Sequence, residues 1–185
     1  DSELLKNLEW FKNRAKEQNN LEAPIIRKPF FCSGCPHNSS LKVPEGKRAL
    51  GGIGCHYMAV DSIESTEFFT QMGGEGTPWI GIAPFSHEKH VFANLGDGTY
   101  KHSGILAIRA SLDANVNITY KILYNDAVAM TGGQEIGSNW DVEGIVKQVL
   151  AEGVKKVSIL SEDPKRYNHL VKNGVKSLNR DAIIT

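Results

Sequence analysis

The chain has 185 residues, 41% hydrophobic and 23% charged, with 21 Lys plus Arg against 21 Asp plus Glu. That length suffices for one compact α/β domain with a single core, and a zero formal charge excludes bulk attraction to nucleic acid or to an anionic membrane. No apolar run approaches the roughly 20 residues of a membrane-spanning helix, and no basic start with an apolar stretch marks a signal peptide, so a cytoplasmic setting is expected.

In chain order, Leu4, Leu8, Phe11 and Ala15 recur at helical spacing behind Ser2 as a candidate N-cap, so residues 1–20 are read as an N-terminal helix or linker. Residues 21–185 form the expected folded domain. Pro24, Pro29, Pro36 and Pro44 break regular structure between Glu22 and Pro44, a stretch that holds Cys32-Ser-Gly-Cys35. Arg48-Ala-Leu-Gly-Gly-Ile-Gly-Cys55 reads as a short strand entering a glycine-rich turn. His90-Val-Phe-Ala-Asn-Leu95 is a buried-strand candidate running into Gly96-Asp97-Gly98. A helix through Ile105, Leu106, Ile108 and Ala110 follows, then the strand candidate Asn117-Ile-Thr-Tyr-Lys-Ile-Leu-Tyr124. Val142, Ile145, Val146, Val149 and Leu150 mark a helix closed by Gly153. Lys156-Val-Ser-Ile-Leu160 is a further strand, Asp163-Pro164 opens another helix, and Gly174 ends it. Asp181-Ala-Ile-Ile-Thr185 reads as a strand entering a sheet, and with a start at Asp1 it suggests a piece of a longer chain. Strands alternating with helices predict a three-layer α/β domain, a mainly parallel central sheet with helices on both faces.

In such a sheet, ligands bind beyond the carboxyl ends of the strands. Asp97 and Asn125 each follow a strand candidate, and the intervening residues 99–124 allow one helix and one returning strand, so the two side chains are expected to converge. A carboxylate oxygen and an amide oxygen suit Mg²⁺, which completes its octahedron with phosphate and water. The glycines flanking Asp97 would admit a diphosphate close to the backbone. Gly-Asp-Gly alone is usually a turn; the strand before it, the helix after it and Asn125 at its remove favour the metal site.

This spacing resembles the thiamine diphosphate signature. Ala93-Asn-Leu-Gly-Asp-Gly-Thr-Tyr-Lys-His-Ser-Gly104, Leu123-Tyr-Asn-Asp-Ala-Val-Ala-Met-Thr-Gly-Gly-Gln134, Phe31-Cys-Ser-Gly-Cys-Pro-His-Asn-Ser-Ser40, Gly52-Ile-Gly-Cys-His-Tyr-Met58 and Met72-Gly-Gly-Glu-Gly76 resemble the indolepyruvate:ferredoxin oxidoreductase family. Together they span most of residues 27–135. The resemblance implies that Asp97, Asn125 and the Ala127 carbonyl hold Mg²⁺, and that Ile53, Gly54, Cys55, His56, Gly96, Asp97, Gly98, Asn125, Ala127, Ala129 and Met130 line the cofactor. It also implies oxidative decarboxylation of a 2-oxoacid such as an aryl pyruvate to an acyl-CoA, with coenzyme A as co-substrate and electrons passed to ferredoxin. An oligomer with further domains or subunits is expected. The glutamate that activates the cofactor comes from another domain in such enzymes, so catalytic residues are not assigned here, Glu75 included. His56 faces the substrate, bonds the cofactor or merely packs; His87, His90 and His169 read as surface residues. The rivals are a non-oxidative thiamine-dependent decarboxylase or synthase, and a non-catalytic metal-binding interaction module.

Cys32, Cys35 and Cys55 resemble three ligands of a [4Fe–4S] cluster, whose fourth cysteine is absent from this sequence. Three other readings stand beside it: a zinc site completed by His37 or His56, a thioredoxin-like pair that Pro29 and Pro36 disfavour, and plain reduced thiols.

Overall fold

A computed structural model of the chain describes residues 2–19, 28–63, 65–137 and 141–183. Asp1, Glu22, Pro24, Arg27 and the final pair Ile184 and Thr185 lie outside the described residues. The first helix, α1 (Ser2–Asn19), starts at Ser2 itself and buries none of its residues.

Four strands build the central sheet: β1 (Ala49–Gly51), β2 (Thr66–Phe69), β3 (Val91–Gly96) and β4 (Ile118–Leu123). They lie in the order β2-β1-β3-β4, and every neighbouring pair is parallel. The β3–β4 ladder runs from Val91 opposite Ile118 to Gly96 opposite Leu123. The edge strand β2 was not expected from the sequence. The parallel sheet with crossover helices was, and it is what the chain forms.

Side chains alternate across a strand, so Val91, Ala93 and Leu95 share one face of β3, and Phe92 and Asn94 the other. The short helix α2 (His37–Ser40) precedes β1, and α3 (Ala59–Ser62) and α4 (Thr77–Ile82) come between β1 and β3. After β3 a continuous helical segment opens as α5 (Asp97–Thr99), widens into a π turn at Tyr100–Gly104 and continues as α6 (Ile105–Asp113). The last long helix is α7 (Val142–Ala151). Leu50, Val91 and Ala93 pack against Trp79 of α4, while Leu95 packs with Tyr100, Ile108 of α6, and Ile145 and Val149 of α7. Each large apolar side chain removed from water on this face contributes about 1.5–3 kcal/mol. The indole N–H of Trp79 is satisfied by the Asn117 carbonyl at 3.0 Å.

The opposite face is covered by α2 and the turn after it. Lys121, paired in register with Asn94, donates from Nζ to the carbonyl oxygens of Ser40 (3.0 Å) and Lys42 (2.6 Å). The ammonium also sits 5.4 Å from the centre of the Phe92 ring. One face thus carries long helices and the other a short helix pinned by a lysine.

The C-terminal part departs from expectation. After the antiparallel pair β5 (Ala127–Val128) and β6 (Gln134–Glu135), strands β7 (Ser158–Ser161) and β8 (Lys176–Asn179) form their own two-stranded parallel sheet. The 3₁₀ helix Pro164–Asn173 joins them, ended by Gly174 at φ 80°. The expected strand from Asp181 is corrected: the strand is Lys176–Asn179, and Arg180–Ile183 form a 3₁₀ helix. Leu178 lies opposite Leu160 in the ladder, and Asn179 Oδ1 then accepts the Asp181 amide at 2.9 Å, turning the chain out of the extended form. Helix α7 matches its prediction, with Asp141 capping through Gly144 N–H at 2.8 Å and Gly153 following at φ 93°.

Candidate functional site

The connectivity of the sheet locates the site. From β1 the chain steps outward to β2, and from β3 it steps the other way to β4. The order therefore reverses between β1 and β3, and the carboxyl ends at such a reversal are the usual ligand position in an open parallel sheet. The glycine turn 52–54 follows β1, and Gly96-Asp97-Gly98 ends β3 and starts the helical segment.

Asp97 is 5% exposed and gathers backbone donors from two places in the chain. Its Oδ1 accepts Gly98 N–H at 2.8 Å; its Oδ2 accepts the amides of Asn125 at 2.8 Å and Asp126 at 2.7 Å. The two side chains were expected to converge; what meets the Asp97 carboxylate is the Asn125 and Asp126 backbone, while the Asn125 side chain turns to its own loop. Asn125 is exposed, and its side-chain Oδ1 accepts Ala127 N–H at 3.1 Å, while Asp126 takes a left-handed φ of 57°. That hook leads into Ala127, the first residue of β5. Gly98 leaves room for Val128 of β5, since a Cβ there would stand 3.3 Å from its Cγ2.

This donor set fits a hard cation. A carboxylate offers about four acceptor positions, of which the three amides use three, and the Asn125 amide oxygen keeps one of its two lone pairs. Carboxylate, amide and carbonyl oxygens are the ligands magnesium takes.

His56 lies in the 3₁₀ turn Cys55–Met58 and is 2% exposed. Two glycines make room for its ring: a Cβ on Gly54 would stand 2.6 Å from His56 Cε1, and one on Gly96 3.6 Å. Burial, reinforced by the neighbouring His37, pushes the imidazole down to about 4, so it is neutral at physiological pH. Its Nε2 is buried without a hydrogen-bond partner among the described residues. The His37 ring stands edge-on to it, 6.4 Å away between centres; burial lowers His37 and the charge of Asp97 raises it. His56 thus lies against Gly54 and Gly96, and Asp97, next in the chain, is bonded to the 125–126 turn. Ala129 and Met130 sit in the exposed 3₁₀ turn after β5, with Met130 64% exposed.

Cys32 is exposed, while Cys35 and Cys55 are half-buried, and all three are free thiols. The Cys35 amide donates to the Cys32 carbonyl at 3.0 Å, closing a turn that leads to α2. Burial pushes the Cys55 thiol up, and Cys35 and Cys32 add to the effect, which places the three in electrostatic reach of one another. Among the described residues no three His, Cys, Asp or Glu side chains form a metal-holding group. Of the histidines read as surface residues, His87 is exposed, His90 bonds Thr119 at 2.8 Å and His169 bonds Glu143 at 2.8 Å. Glu75, within a block of the resemblance but given no role there, is buried beneath Gly52, and Lys121, which the sequence did not single out, donates to the Ser40 and Lys42 carbonyls.

Residues 52–169, well over half of the chain, match the family described as thiamine pyrophosphate enzyme, C-terminal TPP binding domain. The chain is 28% identical over 176 residues to indolepyruvate oxidoreductase subunit IorA of Archaeoglobus fulgidus, covering 85% of this chain and 27% of that protein. To the protein of the same name from Thermococcus kodakarensis it is 27% identical over 150 residues, covering 70% and 23%. The chain thus spans about a quarter of the length of these curated relatives. A similar fold occurs in the 2-oxoglutarate:ferredoxin oxidoreductase from Magnetococcus marinus with 2-oxoglutarate, coenzyme A and succinyl-CoA bound. The TM-score is 0.60 at 21% identity, over 87% of this chain and 65% of that one. No helix among the described residues is long and apolar enough to cross a membrane.

Proposed function

The chain belongs to the thiamine pyrophosphate enzymes, within their C-terminal TPP-binding domain family, and from that membership we propose that it anchors thiamine diphosphate through Mg²⁺ held by Asp97, Asn125 and the Ala127 carbonyl. The single observation that carries this reading is the buried Asp97 carboxylate at the start of a helical segment, bonded to the amides of the 125–126 turn at the reversal point of the sheet. The domain would comprise residues 21–185, with 1–20 as helix or linker.

Bound thiamine diphosphate supplies the carbanion chemistry of 2-oxoacid decarboxylation. This chain's residues would bind and orient it. Asp97 and the 125–127 turn would fix the metal and, through it, the diphosphate; the amide-rich start of the helical segment adds partial positive charge. Glycines 54, 96 and 98 would keep side chains out of its path. The neutral His56, its Nε2 unpartnered among the described residues, would offer a hydrogen bond to the ligand without bringing a charge.

The reaction we propose is oxidative decarboxylation of a 2-oxoacid, an aryl pyruvate by similarity to the indolepyruvate proteins, yielding an acyl-CoA with ferredoxin as acceptor. A cytoplasmic oligomer whose other domains supply the activating glutamate completes the reading. Cys32, Cys35 and Cys55 would serve a [4Fe–4S] cluster only with a fourth ligand from outside this sequence.

The test is an assay of the full-length protein with indolepyruvate, coenzyme A, thiamine diphosphate, Mg²⁺ and a viologen dye, beside residues 1–185 alone. Dye reduction that requires both 2-oxoacid and coenzyme A supports the reading. Aldehyde release without dye reduction would replace it by a non-oxidative decarboxylase, and binding without turnover by a non-catalytic module.

A further inference from the structure

The segment Gly73-Gly-Glu-Gly76 enters none of the roles above, yet it is locked at each end and at its centre. A Cβ on Gly73 would collide with the side chain of Ser103 in the π turn, and one on Gly76 would stand 2.6 Å from the Tyr120 hydroxyl of β4. That hydroxyl donates to the Glu75 carbonyl at 2.9 Å. The Glu75 side chain then runs inward, 0% exposed, beneath Gly52. The fit is close: a Cβ on Gly52 would stand 2.5 Å from Glu75 Cγ and 3.0 Å from the Asn94 carbonyl oxygen. Glu75 Oε2 accepts Gly73 N–H at 2.7 Å. Burial holds this carboxyl above the ordinary carboxylate range, an effect that the amides of Glu75, Gly73 and Ile53 offset only in part. The oxygen Oε1 has no hydrogen-bond partner among the described residues. One carboxyl group therefore touches the loop after β1 while its backbone is held by β4 and its loop by the helical segment after β3.

We propose that Glu75 is a positioning residue. Its buried carboxyl group clamps the 52–56 turn against the 73–76 turn, holding Ile53, Gly54, Cys55 and His56 where they meet the cofactor. The inference rests on the reading of residues 53–56 as part of the thiamine diphosphate site. Burying a carboxyl group for packing alone is unfavourable, and an apolar side chain of like volume would replace it without loss. A clamp needs the oxygen atoms.

Two variants of the full-length protein, Glu75→Met and Glu75→Gln, separate these roles. Methionine keeps volume and removes both acceptors; glutamine keeps one acceptor. Hydrogen-exchange mass spectrometry without cofactor should show amides of residues 52–58 exchanging about tenfold faster or more in Glu75→Met, the size expected when a hydrogen bond to a charged group is lost. Exchange in β3 and β4 should be unchanged, and Glu75→Gln should fall between. Affinity for thiamine diphosphate with Mg²⁺, by calorimetry, should fall in the same order. Unchanged exchange at 52–58, or a uniform rise across the sheet, overturns the clamp. Faster local exchange with undiminished affinity overturns its role toward the cofactor. If the unmodified protein binds no thiamine diphosphate, the functional reading falls by itself, and exchange alone decides whether the clamp exists.

Discussion

The carboxylate of Asp97 accepts the backbone amide of Asn125 at 2.8 Å across 28 positions of sequence. Asp97 is therefore a structural acceptor as well as a metal-ligand candidate, because Asp126 and Gly98 donate to the same group.

The first prediction follows from that double role. Asp97→Ala leaves three amides without their acceptor and should cost about 2–4 kcal/mol of stability, with thiamine diphosphate binding weakened about 100-fold or more. Asn125→Ala removes only the acceptor of the Ala127 amide, so the fold should lose about 1 kcal/mol and binding should weaken about tenfold. Urea unfolding and calorimetry of the full-length protein, with and without a chelator, measure both. Diphosphate binding that survives chelation would sink the magnesium site.

A second prediction concerns packing behind the site. A Cβ on Gly104 would meet Leu95 Cδ1 at 2.8 Å and Cδ2 at 3.0 Å, because the π turn lies flush against β3. Gly104→Ala should therefore destabilise by about 1–3 kcal/mol through overpacking. Gly81, in α4 with nothing within 4 Å of a Cβ, is the opposite case. Gly81→Ala should stabilise by about 0.5–1 kcal/mol, since alanine loses less backbone freedom in a helix. Thermal midpoints moving in the same direction for both variants would contradict the packing of this helical segment.

Lys121 sets a pH dependence. Burial pushes its ammonium down from the ordinary 10.5 to about 8. Between those two values the unfolded chain binds more protons than the folded one, so stability rises with pH across that window and is lost again as pH falls through about 8. Lys121→Met removes this slope and also the donors to Ser40 and Lys42. Urea midpoints followed from about pH 8 to 10.5 should climb in the parent protein relative to the variant. Parallel curves would show that the amine is solvated.

The cysteines make a fourth test. If Cys32, Cys35 and Cys55 hold a cluster with an outside ligand, anaerobically purified full-length protein should carry iron and labile sulfide, and Cys35→Ser should lower both. Stoichiometric zinc in colourless protein would support a Cys₃His site instead, and neither metal would leave plain thiols.

The amino-acid pattern alone determined the strands around Val91–Gly96 and Ile118–Leu123, and helix Val142–Ala151 with Gly153 beyond it. These are written in local periodicity and in turn-forming residues, whose preferences act within a few positions of the chain. Tertiary structure decided the rest. Thr66–Phe69 becomes a strand because β1 offers it an edge, and Lys176–Asn179 because β7 does; neither partner is visible from the segment itself. Asp97 meets Asn125 through backbone amides, His56 loses its charge through burial, Glu75 is buried beneath Gly52, and Lys121 ties β4 to the Ser40 and Lys42 carbonyls. Each of these depends on which donors, acceptors and apolar groups the folded chain brings within a few ångströms, a long-range outcome that no short window of sequence encodes.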